Sequence, residues 1–459
     1  MTQLKTHGMV QQFGLAALVG LVLYSAPAMV MLAAMGLVAW IMWLAFTSSN
    51  PLHLARVLVL LCGAEILTRR SGVPFPWEGW KYVAVAAMAT FSLRGIGRVQ
   101  PSVPLAVYAV CLVPGAVITI GTLGAFAARE RLSFALSGPL LVIAAVSFFR
   151  RYMATIEGAH QILWWGVLSV VPVAMTTLLA VSSTPGLQFF DDSNKAASGG
   201  YGPNQVSSVL GFGVVCCFLL LVSTSTVRDR ILIAGVGVWF AAQALLTFSR
   251  GGLWSALLAI LIGLLFSARN PGDAAKFALQ AGLVAVLMLT FLLPRLDAFT
   301  GGLLGVRQAD TNATHRDQLF RDEIRQWGTS PIFGVGAGQV ESHRAPGLIQ
   351  AAAHTEPSRV LAEHGLIGIA GFVALMVLAV RALRSATEAF GRLWCTVLIA
   401  WPLAVMSFAD MRNTVVGLAF GLAMLRVEDH PMPVRRMPGA SGGRRSLRST
   451  DPADRGLAP

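Results

Sequence analysis

Few residues in this chain can do chemistry, and most of them stand at the ends of apolar runs. His354 opens an H-x8-E-x-G spacing that Glu363 and Gly365 complete, followed by the apolar LIGIAGFV. An imidazole, with an unperturbed pKa of about 6.5, takes a proton from an attacking hydroxyl or closes the end of a helix. Arg250 lies in LTFSRGGLW, where one apolar run ends and the next begins. A guanidinium fork held at a membrane interface grips a phosphate or diphosphate bidentately, or it snorkels to water. Gly251 and Gly252 permit a tight turn and the close approach of a ligand. Asn204 and Gln205 follow SGGYGP and open another apolar run; their amides bind sugar hydroxyls or cap that helix. Asp410 and Arg412 stand in the turn of the last apolar hairpin, as a local ion pair or as groups that orient the site arginines. Asp191 and Asp192 lack a DxD spacing, and no metal or cofactor is implied. The cysteines Cys62, Cys111, Cys216, Cys217 and Cys395 lie in apolar runs without ligand spacing and read as packed thiols.

The elements that must position these residues are membrane helices. Of 459 residues, 55% are hydrophobic and 12% charged, against about 25% charged in a soluble domain. Mean hydropathy is +0.66. Runs of membrane-spanning length occur at 12–26, 29–46, 52–68, 79–94, 103–121, 132–149, 159–182, 205–222, 229–248, 251–267, 275–293, 365–383, 388–406 and 409–425. They are continuous rather than alternating, which excludes a transmembrane barrel, and their backbone groups must be satisfied internally, so they are helices. Several are short, and the expectation is an all-α, polytopic bundle of about 12, at most 14, helices. The first run passes into the second at Pro27 without a small-residue cleavage site, which predicts an uncleaved first helix.

The net charge of +13 would favour nucleic acid in a soluble protein; here it follows from basic loops on one side of a membrane. Arg150/Arg151, Arg228/Arg230, Arg269/Lys276, Arg381/Arg384/Arg392 and the tail arginines fall on alternate connections and mark the cytoplasmic side, with both termini there. Arg69, Arg70, Arg129 and Arg131 fall on the other side and do not fit that rule. Residues 1–182 form N-terminal helices, 183–426 a second membrane region, and 427–459 a basic tail without hydrophobic periodicity, expected to be disordered. A loop at 294–364, on the outer side, holds four of the eight histidines, seven arginines and eight carboxylates. So long and charged a loop is functional rather than a plain connector. Within it, 313–327 places Leu319, Phe320, Ile324 and Trp327 at helical spacing, an amphipathic helix on the membrane surface or on the bundle. PIFGVGAGQ (331–339) reads as a turn.

SRGG between two helices, Gly–Pro–Asn before a helix, R-x2-L-F followed by P-I-F-G-V-G, and H-x8-E-x-G-L-I-G occur in that order. Over 180–425 this ordered set resembles the O-antigen ligase / O-antigen polymerase superfamily of bacterial inner-membrane proteins. The resemblance implies a metal-independent GT-C-type glycosyltransferase that takes a glycan from undecaprenyl diphosphate at the periplasmic face, with inversion. It implies that Arg250 and Arg316 bind the donor diphosphate and that His354 activates the acceptor hydroxyl. Many relatives carry an Arg before the Gly–Pro–Asn element; Lys195 is the nearest cation here. Many carry Asn after the His; here it is Thr355. Asn204, Gln205, Glu363, Asp410 and Arg412 are expected to support the site. The favoured acceptor is a lipid A–core hydroxyl, which makes the protein a ligase. The alternatives are a polymerase acting on a lipid-linked repeat unit of O-antigen or exopolysaccharide, and a transporter of lipid-linked glycan, which requires ionisable residues in mid-span and related halves.

Overall fold

The computed structural model describes residues 6–97, 101–184, 189, 193–267, 271–309, 316–345, 355–409 and 411–428. The first half of the chain forms α1 (Thr6–Ser25), α2 (Pro27–Thr47), α3 (Pro51–Leu58), α4 (Leu61–Ser71), α5 (Gly79–Leu93), α6 (Val103–Cys111), α7 (Val113–Leu123), α8 (Ala125–Phe149), strand β1 (Met153–Thr155) and α9 (Ile156–Ser183). The second half forms α10 (Pro203–Ser223), α11 (Val227–Leu246), α12 (Arg250–Ser267), α13 (Pro271–Leu287), α14 (Leu293–Phe299), α15 (Leu303–Ala309), α16 (Arg316–Thr329), α17 (Glu356–Ser385), α18 (Ala389–Met406), α19 (Thr414–Leu422) and strand β2 (Arg426–Glu428). The protein is an all-α polytopic bundle: among the described residues, eleven helical stretches are long and apolar enough to cross a membrane, with α3–α4 and α6–α7 each counting as one. The shorter α5, α13 and α19 occupy the remaining expected spans. The basic tail beyond 428 lies outside the described residues.

The helices alternate in direction, so their connections fall on two faces. On one face Arg94 Nη1 donates to the carbonyl of Ala45 at 3.1 Å, the Tyr152 hydroxyl donates to the carbonyl of Ile96 at 2.9 Å, and β1 pairs in parallel with β2. The opposite face, called here the loop face, carries the turns at 71–79, 246–250 and 406–414 and the segment from α14 to the start of α17. Arg69, Arg70 and Arg131 lie on this loop face with partners of their own: Glu65 for Arg69, the Gly199 carbonyl for Arg70 and Glu341 for Arg131. These three cations are thus locally partnered, and Arg129 lies over the Phe126 ring.

Trp80, Trp164, Trp394 and Trp401 are fully buried between helices, while α1, α2, α6, α7 and α12 expose Leu15, Leu32, Val110, Val117 and Leu261 as a lipid-facing belt. Lipid tails are as apolar as leucine, so helices hold together by close packing, which small residues permit. A Cβ at Gly63 would sit 1.8 Å from the Ser169 carbonyl oxygen of α9, and one at Gly252 would sit 2.0 Å from the Ser207 carbonyl oxygen of α10. Gly252 therefore admits the neighbouring helix α10, and Gly251 admits the Phe408 ring of the turn after α18, which a Cβ would meet at 2.1 Å. The left-handed residue of the turn is Phe248, with φ 58°. Gly252→Ala must push α10 from α12, and its thermal unfolding in detergent is expected to show a loss of about 1–3 kcal/mol. Gly36→Ala, with open space around its Cβ, serves as the control, and an equal effect there would refute the packing argument.

Candidate functional site

The loop face is organised around a break in α17. Gly365 adopts φ 61°, ψ −152°, which only glycine takes readily, and divides α17 into an outer arm and the membrane span. The break frees backbone groups that water does not reach, and PIFGVG satisfies them. Leu366 N donates to the Pro331 carbonyl at 2.9 Å and Ile367 N to the Ile332 carbonyl at 3.3 Å. In return Val335 N donates to the Ala362 carbonyl at 2.9 Å and Gly336 N to the Glu363 carbonyl at 3.1 Å. A Cβ at Gly334 would collide with the Glu363 backbone at 2.3 Å. The same segment reaches α7, where Ala337 N donates to the Gly115 carbonyl at 3.0 Å and the Thr119 hydroxyl donates to the Ala337 carbonyl at 2.8 Å. Helix α17 thus begins at Glu356, nine residues before the expected span, and the run 356–364 is helical rather than loop.

Helix α16 docks on that outer arm by its polar side. Leu319, Asp322, Glu323 and Gln326 are buried, whereas Phe320 is exposed and Ile324 and Trp327 are half-buried. Glu323 accepts from Arg344 Nη2 at 3.0 Å and from the Ser358 hydroxyl. Burial pushes its carboxyl up, against the opposing pull of those two donors and of Arg359. The expected amphipathic helix is present, but its docking face is acidic. The signal in the sequence was the Asp322–Glu323–Gln326 set with Arg344 downstream.

In the outer arm, Arg359 is buried between two carboxylates: its Nη1 lies 2.6 Å from Glu363 Oε2, and it also pairs with Glu356. Glu356 accepts from Met411 N at 3.1 Å. Glu65, fully buried in α4, accepts from Thr414 N at 2.7 Å and pairs with Arg69 at 2.9 Å. Two carboxylates from opposite ends of the sequence therefore fix the backbone on either side of Arg412. The network continues through Glu78, which pairs with Lys81 and accepts from the Ser137 hydroxyl at 2.7 Å. Arg69 also lies over the Trp77 ring, 4.6 Å from its centroid. Burial pushes the Tyr201 phenol up while the adjoining Arg69 pulls it down.

Two cavities meet at Arg412. The larger, about 900 Å³, is walled by Trp77, Lys81, Tyr82, Arg131, Arg359 and Glu363 among others. The smaller, about 190 Å³, is lined by Asn204, Gln205, Phe408 and Asn413. Asn204 Oδ1 accepts from the Ser249 hydroxyl at 2.8 Å, which ties the start of α10 to the residue before Arg250. Asn413 Nδ2 donates to the Gln205 carbonyl at 3.3 Å. Buried Arg307 of α15 donates to the Phe248 carbonyl at 3.3 Å in the same turn. Among the expected site residues, Asn204, Gln205, Glu363 and Arg412 are thus brought together, and Arg250 opens α12 beside them. Lys195 is exposed on the segment whose Asn194 N donates to the Thr247 carbonyl at 3.1 Å. Arg316 opens α16, with its side chain outside the described residues, as are His354 and Asp410. The helix cap falls to Thr355, whose hydroxyl accepts from Ser358 N at 3.3 Å. Arg359, Glu356, Glu65 and Arg69 were missed because each sits inside or beside an apolar run.

Residues 235–373 match the family model described as O-antigen ligase. Residues 235–373 thus form an O-antigen ligase domain, which supports the O-antigen ligase superfamily. No curated protein matches it. The matched segment runs from α11 through SRGG and the loop to the span below Gly365, so this O-antigen ligase domain supplies α12, α16 and the outer arm of α17. With its many apolar helices the chain is a multi-pass membrane protein that carries this domain. Removing the buried cation between two carboxylates leaves uncompensated charge. Arg359→Met is therefore expected to lose about 3–5 kcal/mol in detergent unfolding, whereas Arg131→Met, at a part-exposed pair with Glu341, should change stability by about 1 kcal/mol or less. Equal losses would show that the α17 cluster does not hold the loop face together.

Proposed function

We propose that this protein is an O-antigen ligase that transfers a glycan from undecaprenyl diphosphate to a hydroxyl of lipid A–core, without a metal and with inversion. The carrying observation is the family match over 235–373, which encloses Arg250, Arg316, His354 and Glu363. In this reading Arg250 and Arg316 hold the donor diphosphate, and Lys195 supplies a further positive charge. Negative charge grows on the leaving diphosphate in the transition state, and fixed guanidinium groups stabilise it more there than in the ground state. His354 takes the acceptor proton as the hydroxyl attacks the anomeric carbon from the side opposite the leaving group. Thr355 caps α17, which anchors the chain next to His354, and Arg359 and Glu363 lie one to two helical turns further in, on the wall of the larger cavity.

Geometry supports the assignment of two substrates to one face. The 900 Å³ cavity offers the aromatic faces of Trp77 and Tyr82 beside charged groups, which suits a phosphorylated oligosaccharide. The smaller cavity is lined by Asn204, which bonds Ser249 just before α12, where this reading puts the donor diphosphate. With the basic clusters of the opposite face cytoplasmic, the loop face is periplasmic and both termini are cytoplasmic. In this reading α16, docked on the outer arm of α17 through Glu323 and Ser358, covers the site and limits hydrolysis of the donor.

A polymerase of the same superfamily shares the donor chemistry and differs in its acceptor. Purified protein given lipid-linked glycan and lipid A–core separates the two, because a ligase forms the joined product and a polymerase instead lengthens the lipid-linked chain. His354→Ala should reduce the transfer rate by about 10²–10⁴-fold, the usual worth of a general base. Arg250→Ala should lower it with weakened donor binding, and His354→Ala without that weakening. Wild-type levels of joined product from both variants, at normal expression, would place the site elsewhere.

A further inference from the structure

A second built site lies on the face remote from the loop. A cavity of about 380 Å³ is lined by Arg150, Arg381 and Arg426, with Glu428 the one carboxylate on its rim. Arg150 ends α8, Arg381 lies in the last turns of α17, and Arg426 begins β2, so three separate elements deliver the three guanidinium groups. Among the described residues no hydrogen bond or ion pair engages any of the three side chains. Burial pulls Arg150 below the usual arginine range, and the charges of Arg426 and Arg381 pull it further. The parallel pair β1–β2, with Met153 opposite Arg426, brings the end of α8 to the end of α19 and closes the cavity between them. Part of its wall is apolar, with Leu378 and Leu425 buried there and Val103 exposed.

A basic connection that only sets membrane orientation needs positive charge on one face and has no reason to converge. Here the arginines converge on a concave surface at the end of two membrane spans, repel one another, and stand above an apolar wall. An anion would relieve the repulsion, and guanidinium forks match phosphate oxygens bidentately. The geometry points to a binding site for a phosphate-bearing anion at Arg150, Arg381 and Arg426, shaped for the headgroup of an anionic phospholipid whose chains lie along the exposed Val103. The site is independent of the transfer chemistry proposed for the loop face, which lies at the other end of the helices.

The full-length protein, delipidated in detergent, is titrated with phosphatidylglycerol, with zwitterionic phosphatidylethanolamine and with inorganic phosphate, and binding is read by thermal protection and native mass spectrometry. Phosphatidylglycerol is expected to protect, and Arg381→Gln or Arg426→Gln to weaken its binding roughly tenfold or more. Arg384→Gln, which removes the same charge from the same exposed end of α17 outside the cavity lining, should bind as the wild type does. Equal protection by inorganic phosphate would identify the ligand as a free phosphate at the same arginines. Two results would overturn the site: Arg384→Gln as damaging as Arg381→Gln, which means diffuse attraction alone, or no protection by any anion. Both Arg381 and Arg426 are exposed, so a folded variant is expected for each, and the unliganded melting temperature checks it.

Discussion

A helix that breaks at the edge of the hydrocarbon must find partners for the backbone groups it frees, because neither lipid nor water supplies them there. The break at Gly365 in α17 is the case on which the loop face depends. Two carbonyls of PIFGVG receive the N–H groups below the break, and two of its N–H groups reach the carbonyls above it. Motifs that stand some thirty residues apart in the sequence are therefore one structural unit. The glycines at 334, 336 and 338 all take positive φ, which lets the segment lie flat against the outer arm and then reach α7. Once that arm is fixed, Glu356, Arg359 and Glu363 are fixed with it, and so is the surface that α16 covers.

The second constraint is electrostatic. Burying carboxylates among apolar helices is costly unless each is paired and bonded. Glu356 and Glu65 meet that condition in the same way: each binds an arginine on its own helix and accepts from a backbone N–H of the α18–α19 turn. One carboxylate belongs to the family domain and the other to the N-terminal helices, so the turn that presents Arg412 is held by both halves of the chain. A division into N-terminal helices and a functional second half, natural on sequence grounds, does not describe the larger cavity, since α5, its preceding turn and α8 wall it.

Much of this was legible in the sequence. The apolar runs gave the spans because hydrocarbon thickness fixes their length, and the ordered motifs pointed to the family whose model matches 235–373. The amphipathic stretch gave α16, though apolar spacing pointed to the wrong docking face: the helix buries Asp322 and Glu323 because Arg344 and Ser358 wait for them. Pairings across hundreds of residues, such as Glu65 with Thr414, leave no local pattern. The SRGG glycines read from the sequence as space for a turn and a ligand, and only the positions of Ser207 and Phe408 show that protein packs against them. Arg69, Arg70 and Arg131 run against the charge rule, and each has a partner on the loop face that charge counting cannot show.

This arrangement bears on why members of one superfamily act on different acceptors. Under the proposed function, the donor diphosphate is held by residues of the matched segment, at the starts of α12 and α16. The large cavity, by contrast, is walled mostly by residues outside that segment: Trp77, Lys81, Tyr82, Arg129 and Arg131 come from α5, its preceding turn and α8. Donor chemistry and acceptor recognition are thereby assigned to different stretches of chain that meet at Arg412. A sequence can then keep the motifs that handle a polyprenyl diphosphate while its N-terminal helices change freely to fit another sugar. Under the same reading, the matched segment bears on the donor and the acceptor is to be read from the cavity wall.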